Sequence, residues 1–199
     1  MAVSHPYIIG ITGGIGSGKS IVSRLLRLMS IPVYDCDSEA KRLMLYSTEI
    51  RTALINAVGS EVYQENGELN RAYLAEYMFG NAARIAQING IVHPIVRNDF
   101  KRWIKQLDRK ILAVESAILL EAKMETDVDA IWLVSAPANM RMQRTILRDS
   151  SNEEAVRNRM KSQQDEQEYA RQANKIIYND GSRSLIQQIK ELLAEIPNK

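Results

Sequence analysis

Gly13-Gly14-Ile15-Gly16-Ser17-Gly18-Lys19-Ser20 satisfies the spacing G-x-x-x-x-G-K-[ST]. Residues of these types at this spacing bind phosphate. The glycines let the backbone wrap with its N–H groups pointing inward, Lys19 reaches the outer phosphates, and the Ser20 hydroxyl can ligate Mg²⁺. Ile21 is apolar, yet its backbone N–H falls in the first turn of a following helix and can meet an inner phosphate. Such a loop must be delivered by a strand and received by a helix, whose positive end adds to the cradle. The apolar run Tyr7 to Ile11 supplies the strand. From Lys19 onward, Val22, Leu25, Leu26 and Met29 recur at helical spacing on one face. The pattern predicts a cradle for a nucleotide triphosphate.

A phosphoryl-transfer enzyme acting on an alcohol also needs a carboxylate near the attacking hydroxyl. The second predicted strand ends in VYDCDSEAK, and Asp35 and Asp37 point the same way if the strand runs through both. Asp37 is then a candidate base, or else the cap of a helix starting at Ser38 or Glu39. Asp35 serves either the metal or only the fold. Cys36 between them reads as a small buried residue. Farther on, Arg141, Arg144 and Arg148 are three and four apart and share one helix face. That face either closes over a triphosphate or is solvated and paired with nearby glutamates. The Asp-x-x-Gly and Asn-Lys-x-Asp signatures expected of a GTPase switch are missing, and the third strand is followed by Glu115 instead.

The elements that must position these residues alternate between strand and helix, which predicts an α/β fold with a parallel sheet covered on both faces. The strands expected are Tyr7 to Ile11, Pro32 to Asp35, Ile111 to Val114, Ile131 to Ser135 and Lys175 to Tyr178. A last helix is expected from about Arg183 to Glu195, ending at Pro197. Roughly seventy residues separate the second and third strands, far more than one crossover needs, and most read as helix. This insertion is a candidate substrate lobe. Within it ENGELN reads as a turn with Asn70 as the cap of RAYLAEYMF, and Val96, Phe100, Trp103, Ile104 and Leu107 form an apolar packing stripe.

Composition narrows the partners. The 199 residues carry 26 Lys and Arg against 24 Asp and Glu, a net charge of +2, with no block of like charges to track a nucleic acid or an anionic membrane. Lone Cys36 cannot form an internal disulfide, no apolar stretch approaches the ~20 residues that span a bilayer, and glycines interrupt the first apolar run too early for a signal peptide. A soluble, cytoplasmic protein with small-molecule partners is expected, as a monomer or small homo-oligomer.

Over essentially its whole length the sequence resembles the dephospho-coenzyme A kinases. GITGGIGSGKS resembles that family's opening, VYDCD its Asp-x-Asp, GELNRAYLAEYMF its Gly-x-Leu-x-Arg segment, HPIV its His-Pro, ILLE its strand-three loop, RTILRD its lid helix, and YNDG its late Asn-x-Gly turn. The resemblance implies a P-loop NTPase three-layer sandwich with a five-stranded parallel sheet. It implies a core of residues 1–45, 110–137 and 173–199, a substrate-binding helical insertion at 46–109 and a helical lid at 138–172. It implies ATP with Mg²⁺ and dephospho-CoA as partners, Asp37 as base, and Lys19, Arg144 and Arg148 as the charges that meet the moving phosphoryl group. Arg71, His93 and Arg97 match positions that line or support the substrate lobe, with His93 alternatively capping and packing a helix start ahead of Pro94. Asn179 and Gly181 match a turn near adenine. Two departures stand out: Ile21 where the family has Thr, and Ala117 where it has Pro. Other readings are a kinase of a smaller alcohol such as shikimate, or a nucleotide-gated regulatory module without transfer activity.

Overall fold

The computed structural model describes residues 5–161, 163 and 166–197. The chain divides into two units, one running to Asp35 and resuming at Asp108, the other formed by Cys36–Leu107.

In the first unit five strands lie in one parallel sheet: β1 (Tyr7–Thr12), β2 (Val33–Asp35), β3 (Ile111–Glu115), β4 (Ala130–Ser135) and β5 (Lys175–Tyr178), in the order β2-β3-β1-β4-β5. Helix α1 (Lys19–Leu28) follows β1, and a later helix, Leu185–Ala194, closes the described chain. Ile9 and Ile11 of β1 alternate out of one face of the sheet, and Val22 and Leu26 of α1 recur at the helical interval of four. They meet Trp132, Val134, Ile177 and Ile189 in one buried cluster. Complete burial of a side chain of this size contributes roughly 1.5–3 kcal/mol. The strand pattern in the sequence thus corresponds to a sheet whose central strand, β1, carries the glycine loop at its C-terminal end.

The observed ends differ from the expected ones for local reasons. β2 starts at Val33, because Pro32 has no N–H for the ladder; its carbonyl still accepts from Ala113 N at 2.9 Å. The last helix begins at Leu185, two residues late, because Ser184 caps it through Gln187 N, while Arg183 turns to Glu191 at 3.0 Å.

The second unit is helical: α2 (Cys36–Tyr46), α3 (Thr48–Val58), α4 (Arg71–Met78) and α5 (Ala82–Lys105). Ser47, Asn70 and Asn81 cap α3, α4 and α5 by accepting from backbone N–H groups, so the cap read at Asn70 is present. Val96 and Phe100 of the apolar stripe are buried, and Phe100 stacks on Trp103. Arg42 of α2 reaches Asp99 of α5 at 2.9 Å. Two expectations need correcting. Helix α2 starts at Cys36, immediately after β2, so Asp37 lies inside its first turn and does not cap it, and the strand does not continue through both aspartates. The acid still suits the positive helix end. His93 and Pro94 do not begin a helix: Pro94 lies in the middle of α5. A proline there leaves the carbonyl four residues back without its helical donor, and that residue is Gly90, with no side chain against the ring and open space around it.

Between β4 and β5 the chain forms α6 (Ala138–Asp149), α7 (Glu153–Lys161) and α8 (Glu166–Gln172), and the Leu185–Ala194 helix is α9. Among the described residues no helix is long and apolar enough to cross a membrane.

Candidate active site

The glycine loop joins β1 to α1 in a conformation that only its residue types allow. Gly16 has φ +76 and Gly18 φ +98, in the left-handed region that a side chain resists. Space is equally restrictive. A Cβ on Gly16 would stand 2.3 Å from the Arg141 carbonyl oxygen, and one on Gly18 would stand 2.1 Å from Asn179 Nδ2. The loop closes on itself through Ser17 N to Gly14 O at 3.1 Å. Lys19 Nζ spans it, donating to Gly13 O at 2.8 Å and Gly14 O at 3.3 Å. The ammonium is therefore already drawn into the cradle that phosphate oxygens would enter.

Two later segments hold the loop. Asn179, just after β5, donates from Nδ2 to Ser17 O at 2.8 Å and from its backbone N–H to Ser135 O at 2.8 Å. Helix α6 lies against the loop at Gly14 and Gly16: a Cβ on Gly14 would stand 2.1 Å from Arg141 Nη1. Glu166 pairs with Arg141 at 3.0 Å and accepts from Ser135 Oγ. Arg144 buries one terminal nitrogen, Nη1, without a hydrogen-bond partner among the described residues. Arg148 behaves differently, since its exposed guanidinium donates to Asp149 Oδ1 at 2.7 Å and Oδ2 at 3.2 Å. The two guanidinium groups hold Asp149 down to a pKa of about 2, Arg148 more strongly than Arg159. Arg141 and Arg148 of the predicted arginine face are thus both ion-paired, Arg141 with Glu166 beside the glycine loop and Arg148 with its neighbour Asp149.

Asp35 and Glu115 end neighbouring strands and are direct partners in the parallel register. Burial pushes the Glu115 carboxyl above its ordinary range, and the Asp35 charge adds to the rise. The Ser23 hydroxyl, Lys19 and Arg27 oppose it. The sequence marked Glu115 only as the residue after a strand; its pairing with Asp35 needed the register.

The second unit holds four of the remaining predicted residues, Asp37, Arg71, His93 and Arg97. Asp37 is exposed in the first turn of α2. Arg71, first in α4, lines a cavity of about 330 Å³ with Leu45, Tyr46, Asn66, Gly67 and Leu69. The turn that shapes it is closed by Glu68 N to Asn66 Oδ1 at 3.0 Å. His93 and Arg97 are four apart on α5, so they share a face. Burial lowers the His93 pKa, which leaves a neutral imidazole at neutral pH. Gly181 has φ +86 in the turn after Asn179, with open space around it.

The donor set fits a nucleotide with its cation. Among the described residues no group of three or more His, Cys, Asp or Glu could cage a metal. The Ser20 hydroxyl, together with the nucleotide's own phosphates, would hold a Mg²⁺ ion, a mode that Mg²⁺ favours. The Ser20 side chain is exposed in the first turn of α1, open to such a ligand.

A parallel β2-β3-β1-β4-β5 sheet whose central strand feeds a lysine-spanned glycine loop, flanked by arginines and strand-end carboxylates, defines the class of phosphate-loop kinases. The dephospho-CoA kinase family model matches residues 7–184, and the chain belongs to the dephospho-CoA kinase family. It is 43% identical over 192 residues to a dephospho-CoA kinase of Bacteroides fragilis, covering 96% of this chain and 93% of that one. A solved structure from Thermus thermophilus superposes with a TM-score of 0.83 at 33% identity, covering 98% of this chain and all of the other. The structure of dephospho-CoA kinase from Campylobacter jejuni, 20% identical, shares the fold with a TM-score of 0.64 over 98% of this chain and 100% of that one.

Proposed function

We propose that the protein transfers the γ-phosphoryl group of ATP to the ribose 3′-hydroxyl of dephospho-CoA, giving coenzyme A and ADP. The observation that carries this reading is the preformed phosphate loop, with Lys19 drawn across Gly13 and Gly14, in a chain that matches this family from residue 7 to 184. The loop N–H groups and the α1 N-terminus bind the inner phosphates, and Lys19 exchanges loop carbonyls for phosphate oxygens. Mg²⁺, held at Ser20, would neutralise charge on the phosphates. Asp35 and Glu115 stand at the strand ends beside that loop, where a carboxylate can order the ion's water ligands.

Asp37 accepts the proton of the 3′-hydroxyl as the oxygen–phosphorus bond to the acceptor forms and the bond to the ADP oxygen breaks. Arg141 and Arg144 meet the charge that spreads over the equatorial oxygens, and Arg148 joins them by exchanging Asp149 for phosphate. The helical unit receives the acceptor. Arg71 at its cavity offers a cation to the acceptor's phosphates, while His93, neutral, offers a hydrogen bond, and Arg97 a second cation. Asn179 and Gly181 form the turn beside which adenine of ATP lies.

The test is an acceptor panel. With ATP and Mg²⁺, turnover on dephospho-CoA should exceed that on shikimate, adenosine, nucleoside monophosphates and water. An elongated acceptor supplies remote binding energy that a compact one lacks, so truncation to adenosine should lower kcat as well as raise KM. A panel won by shikimate would keep the kinase chemistry and overturn the acceptor.

A further inference from the structure

Gln163, just past α7, makes a contact that the phosphate-loop pattern does not assign. Its Oε1 accepts from the Ile15 N–H at 2.7 Å, across 148 positions of sequence. The same oxygen lies 3.5 Å from where a Cβ on Gly14 would stand, and Arg141 Nη1 lies 2.1 Å from that point. Three residues beyond Gln163, Glu166 holds Arg141 at 3.0 Å and accepts from Ser135 Oγ. Gln163 and Glu166 therefore fix a loop amide and the guanidinium beside it.

The chemical type of this acceptor is informative. A carboxylate accepts from a backbone N–H more strongly than a carboxamide does. The surrounding chain uses carboxylates freely, at Glu153, Glu154, Glu166 and Glu168. Yet the side chain that reaches the loop is neutral. A negative charge at Ile15 would sit in a cradle built for phosphate and oppose the ligand, whereas a carboxamide fixes the same N–H without that repulsion. The position of Ile15 says which phosphate is concerned. It precedes Gly18, at the start of α1, by three residues, so it lies at the end of the loop away from the helix N-terminus that takes the inner phosphates.

We propose that Gln163 is a positioning residue for phosphoryl transfer: by accepting from Ile15 N–H beside Arg141, it sets the outer rim of the phosphate loop against which the terminal phosphate of a nucleoside triphosphate is aligned. It acts through the loop backbone. The reading of the site as a triphosphate cradle underlies this proposal; the identity of the acceptor does not.

The experiment compares Gln163→Ala and Gln163→Glu with the wild type in three measurements: affinity for ADP, affinity for a non-hydrolysable ATP analogue, and kcat with ATP and dephospho-CoA. For Gln163→Ala, kcat should fall about 10- to 100-fold, since a misplacement of about 1 Å is enough for such a loss. Affinity for ADP and the melting temperature should hold. For Gln163→Glu, the analogue should bind at least about tenfold more weakly while ADP is far less affected, because the added charge faces the terminal phosphate. A kcat within twofold of the wild type in Gln163→Ala, or analogue binding within twofold of the wild type in Gln163→Glu, would overturn the proposal. So would an equal loss of ADP and analogue binding tracking a lower melting temperature, which is the mark of a merely structural contact. A wild type that binds the analogue but does not turn over dephospho-CoA would sink the acceptor assignment and leave the binding comparison to decide Gln163. A wild type that binds neither nucleotide would overturn both.

Discussion

Lys19 carries the clearest residue-scale consequence of the structure. Its ammonium is held across the loop by the Gly13 and Gly14 carbonyls, so its loss removes a positioned cation. Lys19→Ala should lower turnover by about 10²-fold or more with the melting temperature nearly unchanged. Near-normal turnover in the folded variant would contradict the assignment of the loop. Asp37 has the complementary test. Asp37→Asn keeps the shape but cannot take the proton, so kcat should fall steeply while ATP affinity holds; a variant that only melts earlier would place the base elsewhere. Glu115 gives a pH signature. Its folded pKa is raised above the ordinary 4.5, first by burial and then by Asp35, so the folded state binds this proton more tightly than the unfolded chain. Stability from that preference is full below about pH 4.5 and is lost as pH rises through the raised value. Melting temperatures of the wild type and Glu115→Gln, followed upward from pH 4.5, should therefore diverge in the variant's favour. A difference independent of pH would contradict a raised Glu115.

At the scale of elements, the loop is shaped as much by α6 as by its own sequence. Gly16 faces the Arg141 carbonyl, itself bonded by Thr145 Oγ1 at 2.8 Å within α6. Gly16→Ala would place a Cβ 2.3 Å from that oxygen at a φ of +76. The helix or the loop must then move, and calorimetric titration of ATP should show a loss of at least tenfold in affinity, about 1.4 kcal/mol. Unchanged affinity would mean that the α6 contact does not shape the nucleotide site. What the sequence showed and what it hid divide along the same line. The strands were readable because each is an apolar run bounded by breakers, and the glycine loop because its spacing is local. Asn70 was readable as a cap because it precedes a helical pattern by one residue. The second half of α5 was readable from its apolar stripe, but its continuity through Pro94 was not, since the local rule that a proline ends or starts a helix gives way where both flanks are packed by Ile88, Val92, Val96 and Phe100. Gln163 on Ile15, Arg141 on Gly14 and Asn179 on Ser17 join residues more than a hundred positions apart, and no spacing rule links them.

At the scale of the whole molecule, the chain assigns its chemistry to two units of different construction. The sheet unit holds the phosphate loop, the strand-end carboxylates and the α6 arginines; the helical unit holds Asp37, Arg71, His93 and Arg97. Together they are expected to move one phosphoryl group to one hydroxyl. The most direct test is the position of the transferred group, read by ³¹P NMR and mass spectrometry after incubation of the protein with Mg²⁺, γ-¹⁸O-labelled ATP and dephospho-CoA. One new phosphomonoester, carrying the labelled oxygens, should form on the ribose 3′-oxygen, with ADP formed in equal amount. Label found only in inorganic phosphate, or on any other hydroxyl of the acceptor, would contradict this transfer.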